Sequence, residues 1–225
     1  MTPGERNGMT MDLFNDPDDV GFRHESLGPG AMVLRAFAVP DETALLAAVD
    51  DMAVKAPFRH MITPGGFLMS VAMTNCGSLG WVTDQTGYRY DAIDPLSGRN
   101  WPQMPDIFLT LAMGAAAQAG FTGFVPDACL INRYEPKTRL SLHQDKNERD
   151  YDQPIVSVSL GLPAVFLFGG LKRAAPWIRV PLTHGDVVVW GGPARLRYHG
   201  VMPLQEGHHP LVGGRRINLT FRKAA

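Results

Sequence analysis

The sequence predicts a mainly β domain with flanking helices, of the sandwich or jelly-roll type. Its 18 Pro and 24 Gly residues indicate many turns, and short apolar runs separated by such turns fill its second half. The 225 residues, 45% of them hydrophobic, are enough for one large domain or two small ones with a substantial core. Eight runs are predicted as strands, at residues 128–135, 139–145, 154–161, 164–170, 177–182, 186–192, 195–201 and 216–223.

The first half of the chain predicts two helices among further strands. Asp41, after Pro40, can cap the first helix, while Pro105 can begin the second and Gly120 can end it. The predicted elements are strands at 31–39 and 67–75, helices at 42–56 and 106–119, and a hairpin at 80–91.

Charge is unevenly distributed along the chain. The formal net charge is -1, yet residues 1–25 contain six acidic and two basic residues, so the remainder carries a net +3. Residues 1–26 are polar and punctuated by Gly and Pro, which predicts a flexible acidic segment. The positive remainder permits a nucleic-acid partner without demanding one.

Cysteine usage and hydropathy indicate the compartment. Cys76 and Cys129 lack CxxC spacing, which favours two buried thiols in a reducing environment over a disulfide. No apolar run approaches the length of a membrane span, and no apolar signal region follows the N-terminal charges. We therefore expect a soluble cytoplasmic protein without a membrane partner.

Two His-x-Asp motifs raise the question of a metal site. In "RLSLHQD" the side chains of a strand alternate, so His143 and Asp145 point the same way, opposite Leu140 and Leu142. In "THGDVVVW" the Gly-Asp that follows His184 is typical of a turn. The first motif is therefore predicted as a ligand pair and the second as a turn.

A third ligand would complete a metal site. Two His and one carboxylate with open positions are the ligand set of non-haem Fe(II) oxygenases. His199, in the late strand "RLRYHGV", is the natural candidate, because early and late strands of a jelly roll can be neighbours. The loop pair His208-His209 is a weaker choice.

The final strand carries polar and apolar residues alternately. By itself it is most simply a two-faced strand with its arginines in water. If its polar face instead lines the barrel, two buried guanidiniums need anions, and a small dicarboxylate supplies one carboxylate to each. Asn132 and Tyr134 share a face of an earlier strand and can hydrogen-bond such an acid. The polar face contains Arg216, Asn218, Thr220 and Arg222, and the apolar face contains Ile217, Leu219 and Phe221.

A metal triad and an arginine-lined dicarboxylate pocket in a jelly roll describe a 2-oxoglutarate-dependent oxygenase. From about residue 11 to residue 222, the chain closely resembles the bacterial AlkB family of DNA alkylation-repair dioxygenases. The resemblance is carried by "TPGG", "MSVAMTNCGSLGW", "PDACLINRY", "LSLHQDKNE", "PIVSVSLGLPAVFLFGGLKR", "HGDVVVWGG", "RLRYHG" and "RINLTFR".

The resemblance implies a domain organisation and a set of ligands. It implies a single dioxygenase domain over 27–225, with a double-stranded β-helix (jelly-roll) core at 128–225 and a nucleotide-recognition lid at 63–90. Fe(II) would be held by His143, Asp145 and His199. For 2-oxoglutarate, it implies Arg216 and Tyr134 at the distal carboxylate, and Arg222, Asn218 and nearby Asn132 at the carboxylate closer to the metal.

The resemblance also implies the reaction. Oxygen and 2-oxoglutarate would oxidise an N-methyl group on a damaged base, so that formaldehyde is lost and the normal base is restored. The typical substrates are N1-methyladenine and N3-methylcytosine, mostly in single-stranded DNA, because a base in a duplex must first be flipped out. A monomeric enzyme is expected, and double-stranded DNA or RNA stays open as a substrate.

Residues for the damaged base are implied by the same resemblance. Trp81 and His143 resemble the family's two stacking faces, which suit a cationic alkylated base. Without the resemblance, the Met and aromatic residues of 63–90 are more simply a local hydrophobic cluster. The implied substrate-binding residues are Met69, Trp81, Tyr88, Asn147 and Arg173.

Three positions depart from the bacterial family pattern. Asn147 stands where the family carries Asp, so the charge next to a cationic base is lost. Phe67 replaces a Tyr in the lid, and Gln85 replaces a basic residue. These departures affect the base preference rather than the reaction type.

Three other functions remain open at this point. A 2-oxoglutarate oxygenase of RNA or protein would keep the triad and the arginines and differ only in the lid. A non-catalytic jelly-roll binding module would show no metal dependence. A zinc hydrolase would leave the two arginines unexplained, and zinc is usually held by more His or Cys ligands.

Overall fold

Thirteen strands and two α-helices make up residues 23–225, the part of the chain that the computed structural model describes. The helices are α1 (Glu42–Lys55) and α2 (Asp106–Gln118), with one-turn 3₁₀ helices at Val39–Asp41 and Gly192–Ala194. The strands are β1 (His24–Gly28), β2 (Ala31–Leu34), β3 (Ala72–Gly77), β4 (Gly80–Asp84), β5 (Gly87–Asp91), β6 (Ala128–Tyr134), β7 (Leu140–His143), β8 (Ile155–Gly161), β9 (Ala164–Phe168), β10 (Ile178–Leu182), β11 (Val187–Trp190), β12 (His199–Val201) and β13 (Arg216–Arg222).

The strands form antiparallel sheets with a jelly-roll topology. The larger sheet has the order β1-β2-β11-β8-β13-β6-β3, the smaller has the order β10-β9-β12-β7, and β4 pairs with β5 in a separate hairpin. From β6 onward, successive strands change sheet at every step except β9 to β10 and so wind around a common interior. This confirms the predicted double-stranded β-helix with flanking helices.

Apolar side chains cover both faces of the larger sheet. On its outer face, Leu45 of α1 and Phe108 of α2 belong to the same buried cluster as Leu219. On its inner face, a second cluster fills the space against the smaller sheet and includes Phe166 and Trp190. Neither helix, nor any other among the described residues, is long and apolar enough to cross a membrane.

The final strand decides between the two interpretations of its polar face. All seven residues of β13 are buried. Its apolar side chains, such as Leu219 and Phe221, pack toward the helices, while Arg216 and Arg222 lie on the opposite, interior side and are also buried. The polar face of β13 therefore lines the barrel rather than meeting water.

Strand β1 was not predicted. Its sequence HESLG contains a single buried apolar residue, Leu27, so it lacks the alternation that marks a strand. It pairs with β2 at the edge of the larger sheet. Residues 24–26 therefore belong to the sheet, although they fell within the predicted flexible segment 1–26, and the prediction for residues 1–22 lies outside the described residues.

The predicted strand at 67–75 starts later than expected. Residues 61–69 form a small hairpin, in which Met69 N donates to Met61 O at 2.9 Å and Thr63 N donates to Phe67 O at 2.9 Å. The "TPGG" stretch supplies its turn, so β3 begins only at Ala72. The strand predicted at 31–39 likewise ends at Leu34, because Ala36 takes a positive φ of 56°.

A bulge in β7 changes the predicted alternation of its side chains. Pairing with β12 places His143 opposite His199 but Leu140 opposite Val201, so three steps along β7 match two along β12. Leu140 therefore packs against the apolar cluster between the sheets, instead of facing away from His143 as predicted.

Gly200 permits this close pairing, and two glycine substitutions should have opposite effects on stability. A Cβ at Gly200 would lie 2.8 Å from Leu140 O, whereas a Cβ at Gly114 in α2 would meet nothing closer than Phe37 at 3.8 Å. Gly200→Ala should lower the free energy of unfolding by about 1–3 kcal/mol through overpacking. Gly114→Ala should raise it by about 0.5–1 kcal/mol through helix propensity.

Urea unfolding of both variants beside the wild type measures these changes. A Gly200→Ala protein as stable as the wild type would contradict the described approach of β12 to β7.

Candidate metal and cosubstrate site

Three side chains that can hold a metal ion converge at one end of the smaller sheet. His143 ends β7 and lies directly opposite His199, the first residue of β12, with ring centroids 4.4 Å apart. The carboxylate of Asp145 lies 3.8 Å from His143 Nε2 and 3.7 Å from His199 Nε2. All three ligand atoms lie within 4.8 Å of one another, so a single ion can contact each of them.

Backbone hydrogen bonds orient both imidazoles toward this point. His143 Nδ1 donates to Ser141 O at 2.8 Å, and His199 Nδ1 donates to Arg197 O at 3.0 Å. With the proton on Nδ1, the Nε2 lone pair of each ring is free for a metal. Burial, assisted by the neighbouring His199, lowers the pKa of His143 to about 4, which keeps that ring neutral near pH 7.

Asp145 is bound tightly by an arginine from the last strand. Arg222 donates to Asp145 Oδ2 from Nη2 at 2.7 Å and from Nε at 2.9 Å. Burial alone would raise the pKa of Asp145, but Arg222 and His199 outweigh it and hold that pKa well below its usual range. The third ligand is therefore a carboxylate anion, which suits a divalent cation.

Arg216, at the other end of β13, is a buried cation with unused hydrogen-bond donors. Only 1% of its surface is exposed. Its Nη2 donates to Ser159 Oγ at 2.8 Å, while Nε and Nη1 have no partner. The guanidinium lies 4.9 Å from the centre of the Tyr134 ring, and burial raises the pKa of Tyr134 to about 12. Since an unpaired buried guanidinium is costly, this position calls for an anion.

Two paired asparagines lie in the larger sheet, with Asn218 between Arg216 and Arg222 on β13. Asn132 and Asn218 face each other across β6 and β13, and Asn132 Nδ2 donates to Asn218 Oδ1 at 3.2 Å. Asn218 Nδ2 donates to Ser157 Oγ and Val158 O, whereas Asn132 Oδ1 is buried without a partner. The unused groups of Arg216 and Asn132 fit a polar guest such as 2-oxoglutarate.

An aromatic hairpin stands next to the metal ligands. Trp81 of β4 stacks on Tyr88 of β5, with centroids 5.7 Å apart and planes 23° apart. Asn147, two residues after Asp145, accepts from Trp81 Nε1 at 3.5 Å and donates to Tyr88 O at 3.4 Å. Met69 packs against the same interior cluster as Trp81. Four of the five residues predicted to bind substrate are thus gathered here.

Arg173 lies apart from those four residues. It belongs to the loop between β9 and β10, and its guanidinium lies 5.9 Å from the centre of the Tyr198 ring. Tyr198 precedes the candidate ligand His199, so Arg173 lies close to the residue that leads into the metal site.

Two buried charged residues near the site were missed by sequence reasoning. Glu148 and Arg195 form an ion pair at 3.0 Å, with 2% and 3% of their side chains exposed. Both lie in loops, where no periodicity marks a buried position. The charge-rich "HQDKNERD" stretch was the one available signal, and it does not distinguish the buried Glu148 from its exposed neighbours.

The second His-x-Asp motif is a turn, as predicted. Gly185 has a φ of 84°, and Asp186 Oδ2 accepts from Thr183 N at 2.9 Å. The buried Asp186 also pairs with Arg35 at 2.7 Å. Its carboxylate is thus occupied by a turn and an ion pair.

The matches to known proteins agree with this geometry. Residues 30–222 match the 2OG-Fe(II) oxygenase superfamily. The alpha-ketoglutarate-dependent dioxygenase AlkB of Salmonella typhimurium is 56% identical over 215 residues, which cover 96% of this chain and 98% of that protein. The DNA N(6)-methyladenine demethylase ALKBH1D of Arabidopsis thaliana is 29% identical over 233 residues, or 91% of this chain and 51% of that one. The solved structure of OsALKBH1 has a TM-score of 0.77 at 27% identity and covers 89% of this chain and 100% of that chain.

The superfamily match, extending over most of the chain, defines an oxygenase that uses Fe(II), 2-oxoglutarate and O2. The nearly full-length identity to the bacterial relative makes the assignment narrower, and the chain belongs to the AlkB family of dioxygenases.

The two His-x-Asp motifs provide a matched test of the metal site. Asp145→Asn should weaken Mn(II) or Fe(II) binding by more than about a hundredfold. The loss of a direct ligand should cost more than the loss of an outer-shell partner, which costs up to about a hundredfold. Asp186→Asn removes the equivalent carboxylate from the turn motif and should leave metal affinity unchanged. Anaerobic calorimetry of both variants measures the affinities, and an equal loss in both would contradict the assignment of Asp145.

Proposed function

We propose that this enzyme removes N-alkyl groups from damaged bases in DNA, preferably in single strands, with N1-methyladenine and N3-methylcytosine as its substrates. The observation that carries the proposal is the stacked pair of Trp81 and Tyr88, which Asn147 ties to the loop of the metal ligand Asp145. An aromatic wall at this position suits a planar cationic base next to the metal.

The residues of the site have distinct roles in this proposal. His143, Asp145 and His199 would hold Fe(II), which with 2-oxoglutarate and O2 supplies the oxidising power to hydroxylate an N-methyl group. Arg216 would bind the distal carboxylate of 2-oxoglutarate through its unused Nε and Nη1 donors. Arg222 would bind the carboxylate nearer the metal, while its bond to Asp145 keeps that ligand in place.

The overall reaction balances without a further reactant. One oxygen atom enters the methyl group and the other enters 2-oxoglutarate, which leaves as succinate and carbon dioxide. The resulting N-hydroxymethyl group breaks its C–N bond, so formaldehyde departs and the ring nitrogen keeps the electron pair. The buried arginines and the aromatic hairpin bind and orient the two substrates and exclude water from the interior.

Single-stranded DNA is favoured because the methyl group must reach the barrel interior. A base within a duplex has to be unstacked and flipped, which costs a few kcal/mol that a single strand does not require. Exposed basic residues such as Arg139, Lys146 and Arg149 are available for phosphates around the mouth.

A nucleic acid is favoured over a protein as the substrate. The Arabidopsis relative is named as a demethylase of a methylated adenine in DNA. The aromatic wall also presents a flat stacking surface, which suits a base better than an aliphatic side chain. A monomeric enzyme in the cytoplasm remains part of the proposal.

A mass measurement tests the proposed reaction. The anaerobic protein with Fe(II) and 2-oxoglutarate, mixed with oxygen and a single-stranded oligonucleotide carrying one N1-methyladenine, should remove one CH₂ equivalent of mass. Asp145→Ala should abolish the change, because the metal carboxylate is lost. Arg216→Ala should reduce the rate by at least about tenfold, the size of one hydrogen bond to a charged group.

Two results would contradict parts of this proposal. Succinate formation without any mass change in the oligonucleotide would keep the oxygenase but exclude base repair. Equal activity of Arg216→Ala and wild type would remove Arg216 from the cosubstrate site.

Asn147 gives a second prediction, about base preference. Asn147→Asp places a negative charge beside the aromatic wall, so kcat/KM should rise by about tenfold or less for cationic N1-methyladenine. For neutral N3-methylthymine it should stay the same or fall. Steady-state kinetics on both oligonucleotides measure the ratio, and an equal change for both bases would show that Asn147 does not face the base.

A further inference from the structure

A buried network of charges connects the aromatic hairpin to the cosubstrate arginine. Tyr90, the fourth residue of β5, donates its hydroxyl to Glu148 Oε1 at 2.6 Å. The same oxygen of Glu148 lies 3.5 Å from Arg222 Nε, and Arg222 binds Asp145. These contacts form a continuous path from β5 to a metal ligand.

The network is buried and its formal charges balance. The side chains of Glu148, Arg195, Arg222 and Asp145 are each at most 10% exposed. They contribute two positive and two negative charges, and Arg195 also donates to Asp145 O at 2.8 Å. In such a low-dielectric site a change at one member is felt strongly by the others, because water cannot screen it.

Arg222 is shared between two carboxylates, and this sharing determines where its guanidinium points. Asp145 Oδ2 accepts from Nε and Nη2, while Glu148 Oε1 lies 3.5 Å from Nε. Tyr90 donates a hydrogen bond to the same Glu148 oxygen and so weakens the attraction of that oxygen for Arg222. Without the tyrosine hydroxyl, Glu148 would compete more strongly for Arg222.

We propose that Tyr90 and Glu148 are positioning residues that set the orientation of Arg222 for 2-oxoglutarate and thereby couple cosubstrate binding to occupation of the aromatic hairpin. The inference rests on the proposed role of Arg222 and of the hairpin. In this proposal Tyr90 acts through its hydrogen bond to Glu148.

The coupling follows from the shape of the hairpin. Tyr88 and Tyr90 are on the same face of β5, since side chains alternate along a strand. Tyr88 stacks on Trp81, and Tyr90 donates to Glu148. A base that displaces Trp81 or Tyr88 therefore also shifts Tyr90, through which β5 contacts the charge network. By linkage, a base that changes the affinity for 2-oxoglutarate has its own affinity changed by the same factor.

The test measures binding rather than turnover. Mn(II), which accepts nitrogen and oxygen ligands, replaces Fe(II), and calorimetry gives the dissociation constant of 2-oxoglutarate without nucleic acid. Tyr90→Phe removes one hydroxyl and should weaken 2-oxoglutarate binding about five- to tenfold, within the range of one hydrogen bond to a charged group. Its affinity for Mn(II) should change less than about twofold, because the three ligands are intact.

Tyr151→Phe is the matched control. Its hydroxyl donates to Lys146 O at 2.9 Å in the same loop, and its ring lies 5.5 Å from the Arg195 guanidinium, but it does not reach Glu148 through a hydrogen bond. This variant should bind 2-oxoglutarate as the wild type does. Thermal unfolding of both variants shows whether either change is a general loss of stability.

Arg216→Ala separates a failure of this inference from a failure of the cosubstrate assignment. If Arg216→Ala loses 2-oxoglutarate while Tyr90→Phe binds it like the wild type, the positioning role of Tyr90 is wrong and the pocket stands. If Arg216→Ala binds 2-oxoglutarate normally, the cosubstrate pocket itself is wrong.

A second titration, with a methylated oligonucleotide present, tests the coupling. In the wild type the oligonucleotide should change the dissociation constant of 2-oxoglutarate, and in Tyr90→Phe the change should be at least halved. The same change in both proteins would overturn the coupling. An oligonucleotide that binds neither protein would overturn the proposed DNA substrate and the coupling with it, while the first titration still decides the effect of Tyr90 on Arg222.

Discussion

The ion pair between Arg222 and Asp145 is the interaction on which the rest of the site depends. It joins the last strand of the larger sheet to the end of β7 in the smaller one, with both side chains at most 10% exposed. Arg222 keeps Asp145 ionised and in place, and burial of the pair in turn requires the surrounding strands to close around it. A carboxylate fixed in this way can take up a divalent cation without first losing a proton.

The strand β13 lines the proposed cosubstrate pocket and is buried on both of its faces. One face supplies Leu219 and Phe221 to the core beneath the helices, and the other presents two arginines to the interior. Arg222 is satisfied by carboxylates of the protein itself, whereas Arg216 keeps two donors without partners. Arg222 therefore holds the metal ligand Asp145 in addition to its proposed contact with 2-oxoglutarate, whereas Arg216 has donors free for an anion.

Much of the fold and of the site could be predicted from local patterns. The strict alternation of β13 separated its polar from its apolar residues, and the Gly-Asp of the second His-x-Asp motif marked a turn correctly. Strand β1 escaped prediction, because one buried leucine gives no period. The bulge in β7 depends on pairing with β12, so a strict alternation placed Leu140 wrongly. The burial of Glu148 arises from contacts with Tyr90, Arg195 and Arg222, which lie at least 47 positions away, and no local pattern encodes them.

The most direct test of the central role of Arg222 measures how an Arg222 variant binds the metal and the cosubstrate. Replacing it by glutamine, Arg222→Gln, removes the partner that keeps Asp145 ionised and in place, so Mn(II) binding should weaken by about ten- to a hundredfold, the cost of losing an outer-shell partner. Binding of 2-oxoglutarate should fall by at least about tenfold, because a charge-assisted partner is lost. Calorimetric titrations of the two ligands give both numbers. Weaker binding of both ligands supports the account, whereas an Mn(II) affinity equal to that of the wild type would show that the metal site does not depend on Arg222.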